Sequence, residues 1–136
     1  MAFADAGVVD VVVQEIGPRI KLTVADDVQR GDVLGYSSGW KRALATVGSV
    51  VQARYVALDT ALSGSVIEVA REAVLQGARF SGAAIDGVVY VGEGATAGRY
   101  TQTAPSTSGD AKTPIGRAIA ADRLHIRCQS EPDSVA

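Results

Sequence analysis

The sequence predicts a small all-β domain, a β-barrel or β-sandwich of short antiparallel strands with an extended N-terminal arm. Short β-branched and aromatic runs recur along the 136 residues, separated by Gly, Pro, Ser and Asp, which is the punctuation of strands and turns. Val88, Val89, Tyr90 and Val91 form one such run and Arg99 to Thr103 another. Gly92, Gly94 and Gly98 lie between them, so the pair reads as two antiparallel strands joined by a loop. In the second run Tyr100 and Gln102 alternate with Arg99, Thr101 and Thr103, the pattern of a sheet wet on one side.

The length suits one domain, since domains commonly run to about 100 to 150 residues. Apolar residues make up 47% of the chain but aromatics only 5%, so the core is built of small pieces, and contacts with further copies or a partner are expected to add stability. A net charge of -2 and a pI near 5.3 argue against a polyanion ligand, which needs a surplus of cations, and no nucleic-acid partner is expected. Arg outnumbers Lys ten to three, favouring fixed, forked contacts. Cys128 is the one cysteine, so no internal disulfide forms and no oxidising compartment is implied. Met1 to Gly7 lacks the basic and apolar regions of a signal peptide, and no stretch nears the ~20 apolar residues of a membrane span. The expectation is a protein made in the cytoplasm, with no membrane partner.

In chain order, residues 1–7 are small and apolar with no period and read as an arm. Val8 to Val13 is dense in β-branched residues and fits a strand that is buried on both faces or pairs outside its own domain. Residues 1–13 are therefore set apart as a partner-binding arm, 14–128 as the domain and 129–136 as a flexible polar tail. Gly17-Pro18 precedes Ile20, Leu22 and Val24, which alternate with Lys21 and Thr23 as a half-buried strand. Ala25 to Arg30 reads as a polar connection. Ser37-Ser38-Gly39 separates Val33–Tyr36 from Trp40–Ala43 and predicts a three-residue hairpin loop with its glycine left-handed, placing Tyr36 near Trp40. Those two rings either shield the turn or present Trp40 as an anchor on a partner.

Ala53 to Leu58 is a further strand. Val66 to Gln76 is ambiguous: Ser65-Val66-Ile67-Glu68 resembles a capping box, and Val66, Val69, Ala70, Ala73 and Val74 follow a helical stripe that puts helix slightly ahead. Strict alternation and the valines and isoleucine favour strand. Phe80-Ser81-Gly82 and Asp86-Gly87 are turns, Ala104 to Thr113 an exposed loop, and Leu124 to Arg127 the closing strand.

Catalytic signals are weak throughout. His125 is the only histidine and sits between Leu124 and Ile126, as a solvent-facing strand residue would. It lies three positions from Cys128, so the two occupy opposite faces of a strand and do not make a metal site. Asp26-Asp27 lacks the spacing of a calcium loop. Gly92-Glu93-Gly94 lacks the third glycine, lysine and helix of a phosphate loop. No enzyme activity, cofactor or metal is expected. Arg117, Arg123 and Arg127 form a basic group in an otherwise acidic chain, read either as a solvated face or as a docking surface for an acidic partner.

A set of segments resembles the small capsid decoration or cement proteins of tailed bacteriophages, a β-rich family encoded near the major capsid protein. The set comprises Gly31-Asp32-Val33-Leu34, the Tyr36–Ala43 hairpin, Arg54 to Leu58, Ser65 to Ala70 and Gly77 to Gly82 with Phe80. It continues through Gly87 to Val91, Gly98 to Thr101 and Pro114 to Ala118, and its order and spacing from Val28 to Arg127 carry the likeness. The resemblance implies a compact β-barrel or β-sandwich with Val66–Gln76 as strand. It also implies a structural role on the outer surface of the expanded icosahedral head, as a homotrimer at three-fold and quasi-three-fold positions with the major capsid protein as partner. The arm would then supply capsid contacts through Val8, Val9, Val11, Val12 and Val13, and Tyr36, Trp40, Arg117, Arg123 and Arg127 would be interface residues. Two other readings stay open: a minor virion or fibre-base protein, and a small carbohydrate-binding or hydrolytic β-barrel using Tyr36 and Trp40.

Overall fold

A computed structural model describes residues 12–44, 51–77, 83–92, 100–103 and 114–128, and these are all-β. Eleven strands form among them: β1 (Val12–Ile16), β2 (Arg19–Thr23), β3 (Val33–Tyr36), β4 (Trp40–Arg42), β5 (Tyr55–Ala57), β6 (Val66–Ala70), β7 (Glu72–Gln76), β8 (Val88–Val91), β9 (Tyr100–Thr101), β10 (Gly116–Ala120) and β11 (Arg123–Arg127). They pair antiparallel into a six-stranded sheet, β1-β7-β11-β10-β8-β9, and a five-stranded sheet, β2-β6-β5-β3-β4. The turn at Phe80–Gly82, the loop at Ala104–Thr113 and the tail from Gln129 lie outside the described residues.

Period-two burial builds the main core between the sheets. Val33, Ala43 and Val56 point inward from the smaller sheet, and Leu75, Val89, Tyr100, Leu124 and Ile126 meet them from the larger one. The alternate residues of the smaller sheet, Leu34, Ala57, Ile67 and Val69, face away and form a second cluster with Val24 and Val28. The expected polar connection from Ala25 to Arg30 thus closes over this outer cluster. Val28 is its plug, fixed by paired backbone bonds with Ala61 at 2.9 and 3.0 Å. A single valine among polar neighbours carries no period, so composition hid this role.

The ambiguous run from Val66 to Gln76 is two strands, and the helical stripe has a structural cause. Ile67 and Val69 are buried on one side of Arg71, Ala73 and Leu75 on the other, each pair at period two. Ala70, opposite Val56, is buried as well, so buried positions 69, 70 and 73 mimic helical spacing across a shift in strand parity. Tyr100 departs from its expected pattern too. Both Tyr100 and Thr101 are buried, so β9 is not wet on one side.

The hairpin at Tyr36–Trp40 forms as its glycine predicts, with Ser38 at φ 56° and Gly39 at φ 127°. The N-terminal boundary moves. Val12 and Val13, assigned from sequence to a partner-binding arm, begin β1 and pair with Gln76 and Leu75, and Val13 packs on the main core. Val8, Val9 and Val11 lie outside the described residues.

The turn at Gly31-Asp32 ties the layers together. Gly31, at φ 97°, donates its N–H to the Ala57 carbonyl at 2.8 Å, and its own carbonyl accepts the buried Tyr100 hydroxyl at 2.6 Å. The Asp32 carboxylate, 5% exposed, accepts the Gln29 N–H at 2.8 Å. Burial pushes its carboxyl up from 3.8 to about 6, against the opposing pull of the Gln29 N–H and Arg42. Folding therefore favours protonated Asp32. Its contribution is most favourable below pH 3.8 and declines as pH rises through about 6, where the full cost of burying the charge applies. Asp32→Asn should gain on the wild type by up to about 3 kcal/mol across that window, at 1.36 kcal/mol per unit. Urea unfolding of both proteins as a function of pH measures this. A constant difference would show that Asp32 is not the titrating group.

Candidate functional site

The surface feature with most chemistry lies where the sheets join. β6 belongs to the five-stranded sheet and β7 to the six-stranded sheet, and Arg71 alone separates them. The parity shift there turns two successive side chains, Arg71 and Glu72, outward, which is how a bulge re-aims a side chain. Three backbone-directed bonds hold the corner. Arg71 Nε donates to the Cys128 carbonyl at 3.1 Å, Cys128 N–H to the Arg71 carbonyl at 2.9 Å, and Gly17 N–H to the Glu72 carbonyl at 2.9 Å.

Beside this corner is a cleft of about 430 Å³ lined by Pro18, Ile20, Tyr55, Arg71, Glu72 and Arg127. The Glu72 carboxylate is engaged by His125, Nε2 to Oε2 at 2.6 Å. Ile20 is 47% exposed and lies between Arg19 and Lys21 in sequence. Tyr55 packs on the outer cluster and touches Trp40 edge to face at 5.5 Å, and Trp40 meets Tyr36 in the same way at 5.4 Å. The three rings form a row from the cleft to the hairpin tip. Their planes stand at 68° and 75° to one another, so they do not make the flat stacking platform that a carbohydrate site uses.

The basic residues singled out from sequence share one face. Arg123, His125 and Arg127 alternate with the buried Leu124 and Ile126 on β11, and Arg117 is the cross-strand neighbour of His125 on β10. Arg117 donates to the Asp86 carbonyl at 2.8 Å and lies 3.8 Å from its carboxylate. Arg123 Nε is buried with no hydrogen-bond partner among the described residues. Arg127, at the end of this row, enters the cleft. Through Tyr55, the aromatic pair Tyr36 and Trp40 reaches it as well, whereas Arg117 and Arg123 stay outside it.

Tyr55, Arg71 and the Glu72–His125 pair were not singled out from sequence. Glu72 and His125 lie 53 positions apart, and no local pattern joins them. The one available signal was the clash of periods at Arg71, which marks a bulge once the run is known to be extended.

Asp26 and Asp27, which lack the spacing of a calcium loop, act as tethers. Asp26 takes Arg42 Nε at 3.2 Å and Asp27 takes the Ser63 N–H at 2.8 Å. Among the described residues no group of three or more His, Cys, Asp or Glu side chains could hold a metal ion, and no helix is long and apolar enough to cross a membrane. The cleft lining combines two guanidinium groups, an engaged carboxylate, a phenol and aliphatic carbon, which suits charge-assisted binding. No family model, curated protein or solved structure matches the chain.

The Glu72 and His125 side chains are 44% and 42% exposed, so solvent screens their contact. Glu72→Gln should change stability by less than about 1 kcal/mol. Tyr55→Ala removes the ring between the outer cluster and Trp40 and should cost about 2 to 3 kcal/mol. Equilibrium urea denaturation compares them, and the reverse order would make Glu72 a structural residue.

Proposed function

We propose that the protein is a capsid decoration protein, which binds the outer surface of an expanded icosahedral head as a trimer and stabilises it by bridging capsid subunits. One observation supports this reading most. β1 and β2 are both edge strands, joined at Gly17-Pro18, so two sheet edges meet at the start of the domain; among the described residues the β1 edge has no neighbouring strand, and the β2 edge is closed only at its end, where Val24 bridges Trp40 of β4. Open edges are completed at little sequence cost by a partner's backbone, through main-chain hydrogen bonds. The order of strand segments from Val28 to Arg127, the all-β architecture and the outward basic row agree with the reading.

The mechanism is multivalent. A trimer bridging several shell subunits makes its second and third contacts intramolecular, so weak individual interfaces gain about 10² to 10⁴ in retention. In this account residues 1–11 reach a neighbouring subunit, while Tyr36, Trp40 and the arginines on β10 and β11 face the shell.

Because β1 starts at Val12, the arm deletion that tests this removes Met1 to Val11 and spares the β1–β7 ladder. Full-length protein should co-sediment with empty expanded heads assembled from a tailed-phage major capsid protein. The deletion variant should stay folded by circular dichroism and lose retention about 100-fold. Unchanged retention would remove the arm from the mechanism, and failure of the full-length protein to bind heads would remove the reading itself.

A further inference from the structure

The geometry points to the corner cleft as a recognition site for an extended segment of a partner protein that carries a side-chain carboxylate beside an aliphatic residue. This goes beyond the shell reading and is tested without a shell. The protein is net acidic, yet among the described residues the cleft lining carries Arg71 and Arg127 beside one carboxylate, Glu72, which His125 holds at 2.6 Å. A guanidinium matches a carboxylate in planar, two-point geometry. Arg71 is positioned by its own Nε bond to the Cys128 carbonyl, and Arg127 is an exposed side chain for which no ion pair is seen among the described residues.

The apolar half of the lining supplies the second element of recognition. Pro18, Ile20 and Tyr55 give the partner's neighbouring aliphatic side chain a surface to cover, and the 47% exposure of Ile20 is what such a contact would bury. Ile20 lies on β2, an edge strand, so a segment entering along it can also pair its backbone with that edge. A single-stranded nucleic acid fits less well, because the adjacent rings pack edge to face and the net charge is negative.

The probe is acetyl-Leu-Glu-Val-Glu-Leu-amide, with the Gln and Lys analogues, free glutarate and a hexathymidylate as comparisons. Each is titrated into full-length ¹⁵N-labelled protein and followed by backbone amide and arginine Nε resonances. The acidic peptide should shift Ile20, Tyr55, Arg71 and Arg127 saturably below about 10 mM, with free glutarate and the Gln peptide weaker and the Lys peptide silent. Arg127→Gln should weaken the acidic peptide about fivefold and Arg127→Lys less, while Arg117→Gln, on the same face but off the cleft, should change nothing. Any of four results overturns the proposal: equal response to the Glu and Lys peptides, shifts elsewhere, no shifts, or tighter binding of the oligonucleotide. Shifts of the same residues that depend on protein concentration without peptide would assign the cleft to a second copy instead, and also overturn it.

Discussion

Between Ala70 and Glu72 the chain leaves one sheet and joins the other, with only Arg71 in the crossing, and most of the architecture follows from that step. The two halves of this run pair on both sides, β6 with β2 and β5 and β7 with β1 and β11, so each sheet is built around one half of an eleven-residue stretch. Ala70 and Ala73 stay buried on either side, while Arg71 and Glu72 turn outward together. One change of parity thus makes the junction of the sheets and presents a cation and an anion at its outer surface. It also places Ile20 and Tyr55 of the smaller sheet, with Pro18 of the link between β1 and β2, beside Arg127 of the larger sheet.

A core of small side chains explains why the rest of the domain relies on ties rather than bulk. Among the described residues, alanines and valines make up nine of the fifteen buried in the main core, and Tyr100 is the largest fully buried side chain. Its hydroxyl has to find a partner in that interior and does so at the Gly31 carbonyl, which joins β9 of the larger sheet to the turn that feeds β3. The buried Asp32 beside it runs the other way. Its charge is held in a poorly solvated place, so at neutral pH this side chain costs stability at the turn.

Strands with purely local signals were legible in the sequence. Val88–Val91, Tyr55–Ala57 and Arg123–Arg127 are short apolar or alternating runs between turn residues, and the Tyr36–Trp40 hairpin is written in Ser37-Ser38-Gly39. What failed to show was whatever depends on distant pairing. Val28 gives no sign that it plugs an outer cluster, because its partners are on other strands. The two valines that open β1 look self-insufficient until Gln76 and Leu75 are placed opposite them. The cleft draws its lining from positions 18, 20, 55, 71, 72 and 127, and only Arg127 among them stood out beforehand. A helix-like stripe at Val66–Gln76 is the physical trace of the crossing, since a parity change in a strand and a helical turn both place successive buried residues three apart.

The binding surfaces inherit this geometry. The aromatic row and the basic row lie on different sheets, and they converge only because Arg71 joins those sheets at an outward corner. The most direct test is the solution NMR pattern of contacts across Val66–Gln76. Cross-strand Hα–Hα contacts are expected on both sides of Arg71, at the non-hydrogen-bonded pairs of each ladder: Ala70 with Arg19 and Glu68 with Lys21 between β6 and β2, and Glu72 with Arg127 and Val74 with His125 between β7 and β11. No sequential contacts between residues three apart are expected. A continuous ladder of such contacts from Val66 to Gln76 would mean a helix, and would contradict both the crossing and the cleft built on it.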